Sequence, residues 1–296
     1  METIESLRRK IRSAEDLHGV VKTMKAMAAV SIRQYERAVE SLDEYSRAVD
    51  MGFQVLLQQK ADLMSPPLIP QQAVDGGLGA VVFGSNQGMV GQFNDVIVHH
   101  AVETLTALQT GNQSGLIMAV GMRVLSRLQE AGRSVAESTS LPGSVTAITS
   151  AVQDMVLKLE SWQSGQGIGQ IVLFYNRPKS GASYDPHTVH LLPMDPQWFE
   201  GLKKTPWPCR CLPQYTMERG ALFSSLIREY LFVALYQAFA ESLASENASR
   251  LAAMQVAERN VEERLQVLNG QFHQLRQSTI DAELFDLISG FEVLTK

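Results

Sequence analysis

Apolar side chains recur every seven residues through the first stretch of the chain. Leu7, Ala14, Val21, Ala28, Tyr35, Leu42, Val49 and Leu56 are all apolar or aromatic. A companion series, Leu17, Met24, Ser31, Ala38 and Tyr45, completes the pattern, with Ile4 and Ile11 ahead of a one-residue shift. Alternating steps of three and four residues are the spacing of a helix that packs along a narrow seam. The stretch predicts a helix from Ile4 to Leu57, about 80 Å long at the usual rise. Pro66, Pro67 and Pro70 stop it. Gly19 interrupts it, at a cost of about 1 kcal/mol against alanine.

The last stretch has the same grammar and no proline after Pro213. One series reads Leu226, Val233, Ala240, Asn247, Met254, Val261, Leu268, Leu275, Ala282, and the other Tyr230, Gln237, Ala244, Leu251, Glu258, Leu265, Phe272, Thr279. A helix from Met217 to Ile288 would be about 110 Å long. Both helices exceed what a compact domain of this chain length buries, so part of each is expected to project. Ala28, Ala29, Ala240, Ala244 and Ala248 cluster in the two seams and would allow close approach. Asn247 and Glu258 break the apolar series, either as register devices or as contacts to a surrounding partner.

Between these stretches the period changes. LGAVVFG (78–84), LIMAVG (116–121) and QIVLFY (170–175) read as buried strands, and Thr188–Leu192 as a fourth or edge strand. Helical patterns lie near 92–109, 122–131 and 145–161. That alternation predicts a mostly parallel sheet flanked by helices. Residues 193–213, with five prolines and two tryptophans, read as an irregular connector. The expected fold is therefore α/β: a long antiparallel coiled coil of the N- and C-terminal helices plus a central Rossmann-like domain. The expected division is residues 1–65, 66–213 and 214–296.

Apolar content of 45% and charged content of 19% fit a folded protein with a real core. A net charge of −5 argues against bulk attraction to nucleic acid or anionic lipid. The charge is unevenly placed. Residues 1–37 carry eight Lys or Arg against five acids, and residues 241–296 carry five against nine. Antiparallel pairing of those segments would be electrostatically favourable. No apolar run is long enough to span a bilayer, and the opening METIESLRRKIRS has no secretory core. A cytosolic chain without direct membrane insertion is expected.

Chemistry is hard to find along the chain. Cys209 and Cys211 are too close for an unstrained disulfide and too few for a zinc site. Gly84–Gly91 follows a strand and precedes a helix, but it lacks the Gly-Lys-Ser/Thr ending of a phosphate loop, and a tight turn explains it better. His187 and His190 would splay to opposite faces of a strand. His99 and His100 are adjacent. No catalytic residue, cofactor or metal site is expected. Arg8, Arg9, Lys10, Arg12, Lys22, Lys25, Arg33 and Arg37 decorate the first helix, as solvated charge or as a face for an acidic protein sleeve.

Four blocks, in order along the whole chain, carry a family resemblance. They are Ile11–Ser13 with Val21–Ala29, the turn Ser85–Asn94, ESLASENASRLAAMQ (241–255), and LRQSTIDAELFDLISG (275–290). Together they resemble the gamma subunits of F-type ATP synthases. The departures are Asn86 and Gln87 in the turn, Val256–Asn260, Asp281, and a tip that carries Glu292 and Lys296. They suggest a divergent bacterial branch with retuned contacts.

The resemblance implies a central rotor stalk that couples ion flow through a membrane rotor to ATP synthesis or hydrolysis. It implies a ring of three alpha and three beta subunits as partners, together with the epsilon subunit and the membrane c-ring. It also implies a peripheral position on the cytoplasmic face of the bacterial inner membrane. Catalysis would belong to the ring. Contacts with that ring would fall to Lys22, Met24, Lys25, Arg250, Gln277 and Glu283, and secondarily to Asn260, Arg276 and Asp286. Two other readings of the residues stand beside it: a coiled-coil scaffold or tether with an α/β recognition domain, and a small-ligand enzyme that dimerises through its terminal helices.

Overall fold

The computed structural model describes residues 3–58, 76–108, 115–179, 183–208, 211 and 213–294, with side chains as far as Ile288. The prolines at 66, 67 and 70, Cys209, the expected boundary at 65/66 and the tip charges Glu292 and Lys296 lie outside that description. Two helices dominate: α1, Ile4–Gln58, of 55 residues, and α6, Arg219–Leu294, of 76 residues. Between them run β1 (Gly77–Phe83), α2 (Phe93–Leu108), β2 (Gly115–Val120), α3 (Met122–Glu130), β3 (Glu137–Thr139), α4 (Val145–Gln166), β4 (Ile168–Pro178), β5 (Tyr184–Leu192) and α5 (Pro196–Lys204). The described chain divides into two compact units, Met1–Ala29 with Arg250–Lys296, and Val30–Ser249.

In the larger unit, the five strands lie in the order β3-β2-β1-β4-β5. All pairs are parallel except β4 with β5, which is antiparallel at the edge. The strands β1, β2 and β4 are apolar on both faces because both faces are covered. On one side α2 and α3 pack over Val82, Ala119 and Phe174. On the other, α4, the second half of α1 and the first half of α6 enclose Phe83, Met118, Trp162 and Phe239. Phe83 meets Phe239 edge-on with ring centroids 4.9 Å apart, so α6 is bolted to the centre of the sheet. Ala240, Ala244 and Ala248 are buried, as close approach requires, and Ser242 and Ser245 are buried in the same stretch of α6.

The larger unit contains two elements that the periodicity did not announce. The three-residue β3 is too short for an alternating pattern. The helix α5 hides among prolines, but Asp195 accepts a hydrogen bond from Gln197 N at 2.8 Å and Pro196 occupies its first turn, a standard helix start. Phe199 and Trp198 from α5 pack edge-on against Phe53 of α1. The start of α6 is capped by Glu218, whose carboxylate accepts from Gly220 N at 2.9 Å and Ala221 N at 2.8 Å. Those backbone donors hold Glu218 below the usual carboxylate range.

In the smaller unit, the ends of α1 and α6 lie antiparallel. Leu7, Val21 and Ala28 are buried there with Met254, Val261 and Leu268. Contacts step in opposite directions along the two helices: Lys25 with Glu258, His18 with Glu262, and Arg8 over the Phe272 ring. The seven-residue series beginning at Leu7 is buried or half-buried throughout α1, and both α6 series are inward as far as Thr279. Ala282 and everything from Ile280 to Ile288 are exposed.

The companion series on α1 differs from expectation. Leu17 is 51% exposed and Tyr45 43% exposed, and Ala29 is exposed as well. Of the expected companions, Met24 and Ser31 are half-buried and Ala38 is buried, whereas Ile11, His18, Lys25, Ile32, Val39, Ser46 and Phe53, four residues behind the first series, are inward at every step. The seam therefore keeps an unbroken heptad with no one-residue shift. It was obscured because His18 and Lys25 are polar, while Leu17 and Met24 beside them are apolar.

Candidate partner-contact surface

The apolar residues that the seam does not use form a second face of α1. Leu17, Val20 and Met27 are 51%, 55% and 65% exposed, and Met24 is half-buried between that face and the seam. Their spacing of three, four and three residues keeps them on one side of the helix. Lys22 is exposed in the same segment. A helix that is apolar on two faces is one with two neighbours to satisfy.

The end of α6 repeats the theme. Ile280, Leu284, Phe285, Leu287 and Ile288 are each 48–73% exposed. Among them sit Glu283 and Asp286, and just before them Arg276 and Gln277, all exposed. Five large apolar side chains exposed along nine residues are unusual for a surface that meets only water. Asn260 is exposed further back on α6, and Arg250 is half-buried where the smaller unit begins.

Lys25 differs from Lys22. Its ammonium donates to Glu258, and both side chains are largely out of water, at 33% and 16% exposed. The hydrogen bond from Lys25, with the ammonium of Lys22 nearby, holds the Glu258 carboxyl below its usual range. Glu258, which breaks the apolar series, is thus a cross-seam partner that fixes register. Asn247 is quieter, with its amide donating to Leu243 O at 2.8 Å on its own helix.

The turn after β1 is where an α/β sheet of this order would offer a ligand crevice, between β1 and β4. Its polar groups are spent on holding the turn. Asn94 accepts from Ser85 N at 2.9 Å and donates to Ser85 Oγ at 2.9 Å. Ser85 Oγ donates to Gln87 O at 2.8 Å, and Asn86 Oδ1 accepts from Leu141 N and Met122 N at 3.3 and 3.4 Å. Ser249 of α6 donates to Val90 O at 2.6 Å and closes the mouth. A Cβ on Gly84 would lie 2.3 Å from Val124 Cβ, so the chain passes there without room for a side chain. Asn86 staples three segments by hydrogen bonds: its own turn, the start of α3 at Met122, and Leu141.

Among the described residues, no helix is long and apolar enough to cross a membrane. A family model described as ATP synthase matches residues 3–294. The ATP synthase gamma chain of Chelativorans sp. (strain BNC1) is 27% identical over 297 residues, covering 99% of this chain and 100% of its own. That of Mycobacterium leprae (strain Br4923) is 26% identical over 298 residues, covering 99% and 98%. Among solved structures, the rotor of the Euglena gracilis mitochondrial ATP synthase in rotational state 1 superposes over 94% of this chain and 98% of its own, with a TM-score of 0.56 at 17% identity. The same synthase in rotational state 3 covers 98% and 94%, with a TM-score of 0.59 at 18% identity. These two share the fold of two long terminal helices around a central sheet domain. Matched from its first helix to its last, the chain belongs to the ATP synthase family, among the gamma chains.

Proposed function

We propose that this chain is the central rotor stalk of a bacterial F-type ATP synthase. The observation that carries the reading is the pair of unsatisfied apolar faces, Leu17–Val20–Met27 on α1 and Ile280–Ile288 on α6. Fully burying one Leu, Ile or Phe is worth about 1.5–3 kcal/mol. Enclosure of these half-exposed residues by a protein sleeve would therefore be strongly favourable, whereas water alone leaves them a liability. A ring of three alpha and three beta subunits is the sleeve that family membership supplies.

In this reading the six residues Lys22, Met24, Lys25, Arg250, Gln277 and Glu283 meet the ring, with Asn260, Arg276 and Asp286 at its margins. Lys22 offers a charge not tied to Glu258, Met24 a deformable apolar contact at the edge of the seam, and Gln277 and Glu283 polar contacts around the apolar end of α6. Lys25 acts mainly by holding Glu258. Because the two faces differ in shape and charge around the shaft, each turn would present a different surface to each beta subunit, and the three sites would fire in sequence.

The chain itself would perform no chemistry. Residues 66–213 would form the sheet domain, which grips the epsilon subunit and the c-ring, and residues 1–65 and 214–296 would form the coiled coil. The assembly would sit peripherally on the cytoplasmic face of the inner membrane. Co-expression with the host's alpha and beta subunits, followed by sizing and ATPase assay, tests this. One complex of three alpha, three beta and one copy of this chain, with stimulated turnover, is expected. Self-dimers that ignore the ring would refute the stalk and favour a coiled-coil scaffold.

A further inference from the structure

The seam of the smaller unit contains a polar rung with an unused donor set. His18 projects from α1 between Ala14 and Val21, at an inward heptad position. Opposite it, Glu258 and Glu262 stand one turn apart on the same face of α6. The His18 Nε2 is out of water and makes no hydrogen bond. Glu262 Oε1 is 3.3 Å from it. One ligand atom from each of His18, Glu258 and Glu262 falls within 4.8 Å of the others.

That geometry is poor for a hydrogen bond and good for something between the groups. Zinc holds nitrogen and carboxylate oxygen at about 2.0–2.2 Å in a tetrahedron, which sets neighbouring donors about 3.3 Å apart. The His18–Glu262 separation already has that value. The wider limit of 4.8 Å closes by rotation of the Glu258 side chain, one of whose oxygens Lys25 holds, leaving the other free to turn inward. One imidazole and two carboxylates suit a borderline cation such as Zn²⁺ better than Mg²⁺ or Ca²⁺, which prefer oxygen alone. Water would complete the coordination, since Glu262 is half-exposed.

We propose that His18, Glu258 and Glu262 form a site for a zinc-class divalent cation that clamps α1 to α6 across the seam. The site draws one ligand from one helix and two from the other, so an ion held there would resist both sliding and unzipping of the pair. Charge around the rung limits the affinity. Lys25 contacts Glu258, and Lys22 also lies within electrostatic reach of it, so that carboxylate arrives with its charge largely matched. Micromolar rather than nanomolar binding follows, strengthened wherever Lys25 is removed.

The test uses the full chain and ZnCl₂ alone, read by calorimetric titration and by the melting temperature in chelator-treated buffer. One zinc per chain at this rung, with a raised melting temperature, is expected. His18→Gln should lower the affinity at least tenfold, and so should Glu262→Gln, whose half-exposed side chain can change without threatening the fold. Lys25→Ala should raise the affinity severalfold by releasing Glu258, an effect that general surface binding would not show. A His99→Ala control should leave the titration unchanged, although His99 and Glu103 form an exposed pair. No saturable binding, or binding that survives both His18→Gln and Glu262→Gln, would overturn the site. The stalk reading is untouched by either result, because no other subunit is present.

Discussion

A carboxylate placed opposite a lysine inside a helical seam stabilises the pair only while it is ionised. Glu258 is held below its ordinary 4.5 by Lys25. A depressed folded value means that this contribution is complete above the unfolded value and lost as pH falls through the folded one. The window therefore opens at about pH 4.5 and extends downward. Thermal melts of the wild type and of Glu258→Gln at pH 7 and pH 3.5 should show a smaller acid loss in the variant. Equal losses would mean that the pair contributes nothing to register or stability. Residues of this kind were half-legible in the sequence. Glu258 announced itself by interrupting an apolar series, whereas its partner Lys25 looked like one charge among eight near the N-terminus, and His18 drew no notice because its neighbours in space are more than 230 positions away.

At the scale of elements, two glycines in different surroundings predict opposite outcomes. Gly19 lies inside α1 with nothing within 4 Å of where a Cβ would stand. Gly19→Ala should therefore stabilise the chain by about 0.5–1 kcal/mol through reduced backbone entropy cost, seen as a higher urea midpoint. A Cβ on Gly84, just after β1, would lie 2.3 Å from Val124 Cβ and 2.6 Å from Asn94 Oδ1. Gly84→Ala should cost about 1–3 kcal/mol by forcing the turn off α3. A lower midpoint for Gly19→Ala would reveal a close partner at that point, and a neutral Gly84→Ala would show that the turn has slack. The helices and the three central strands were readable because burial on one or two faces imposes a period or an apolar run. The strand β3 and the helix α5 were not, since three residues carry no period and a proline-rich segment conceals a capped helix of nine residues.

For the molecule as a whole, the exposed apolar faces separate stability from assembly. Phe285 is 69% exposed. Phe285→Ser should leave the melting of the isolated chain within about 0.5 kcal/mol of wild type, yet loosen its hold on an alpha–beta ring in sizing experiments. Retention equal to wild type would remove the end of α6 from the contact surface. Met24→Lys should assemble normally but reduce ATP-driven ion pumping, because it adds charge beside Lys22 and Lys25 at the edge of the seam. Undiminished pumping would exclude Met24 as a coupling contact.

The sequence alone determined that two long helices pair through seven-residue seams around an α/β sheet, because periodic burial and proline punctuation are local and survive in one dimension. It also carried the family likeness in four ordered blocks. Which of two adjacent apolar series faces inward was decided only in three dimensions. Leu17 is as apolar as a seam requires and yet lies outside it, while His18 and Lys25 turn inward, facing Glu262 and Glu258. The outward apolar face follows from that choice. Hydrophobicity states that a residue is to be buried, and only the tertiary arrangement states by which neighbour.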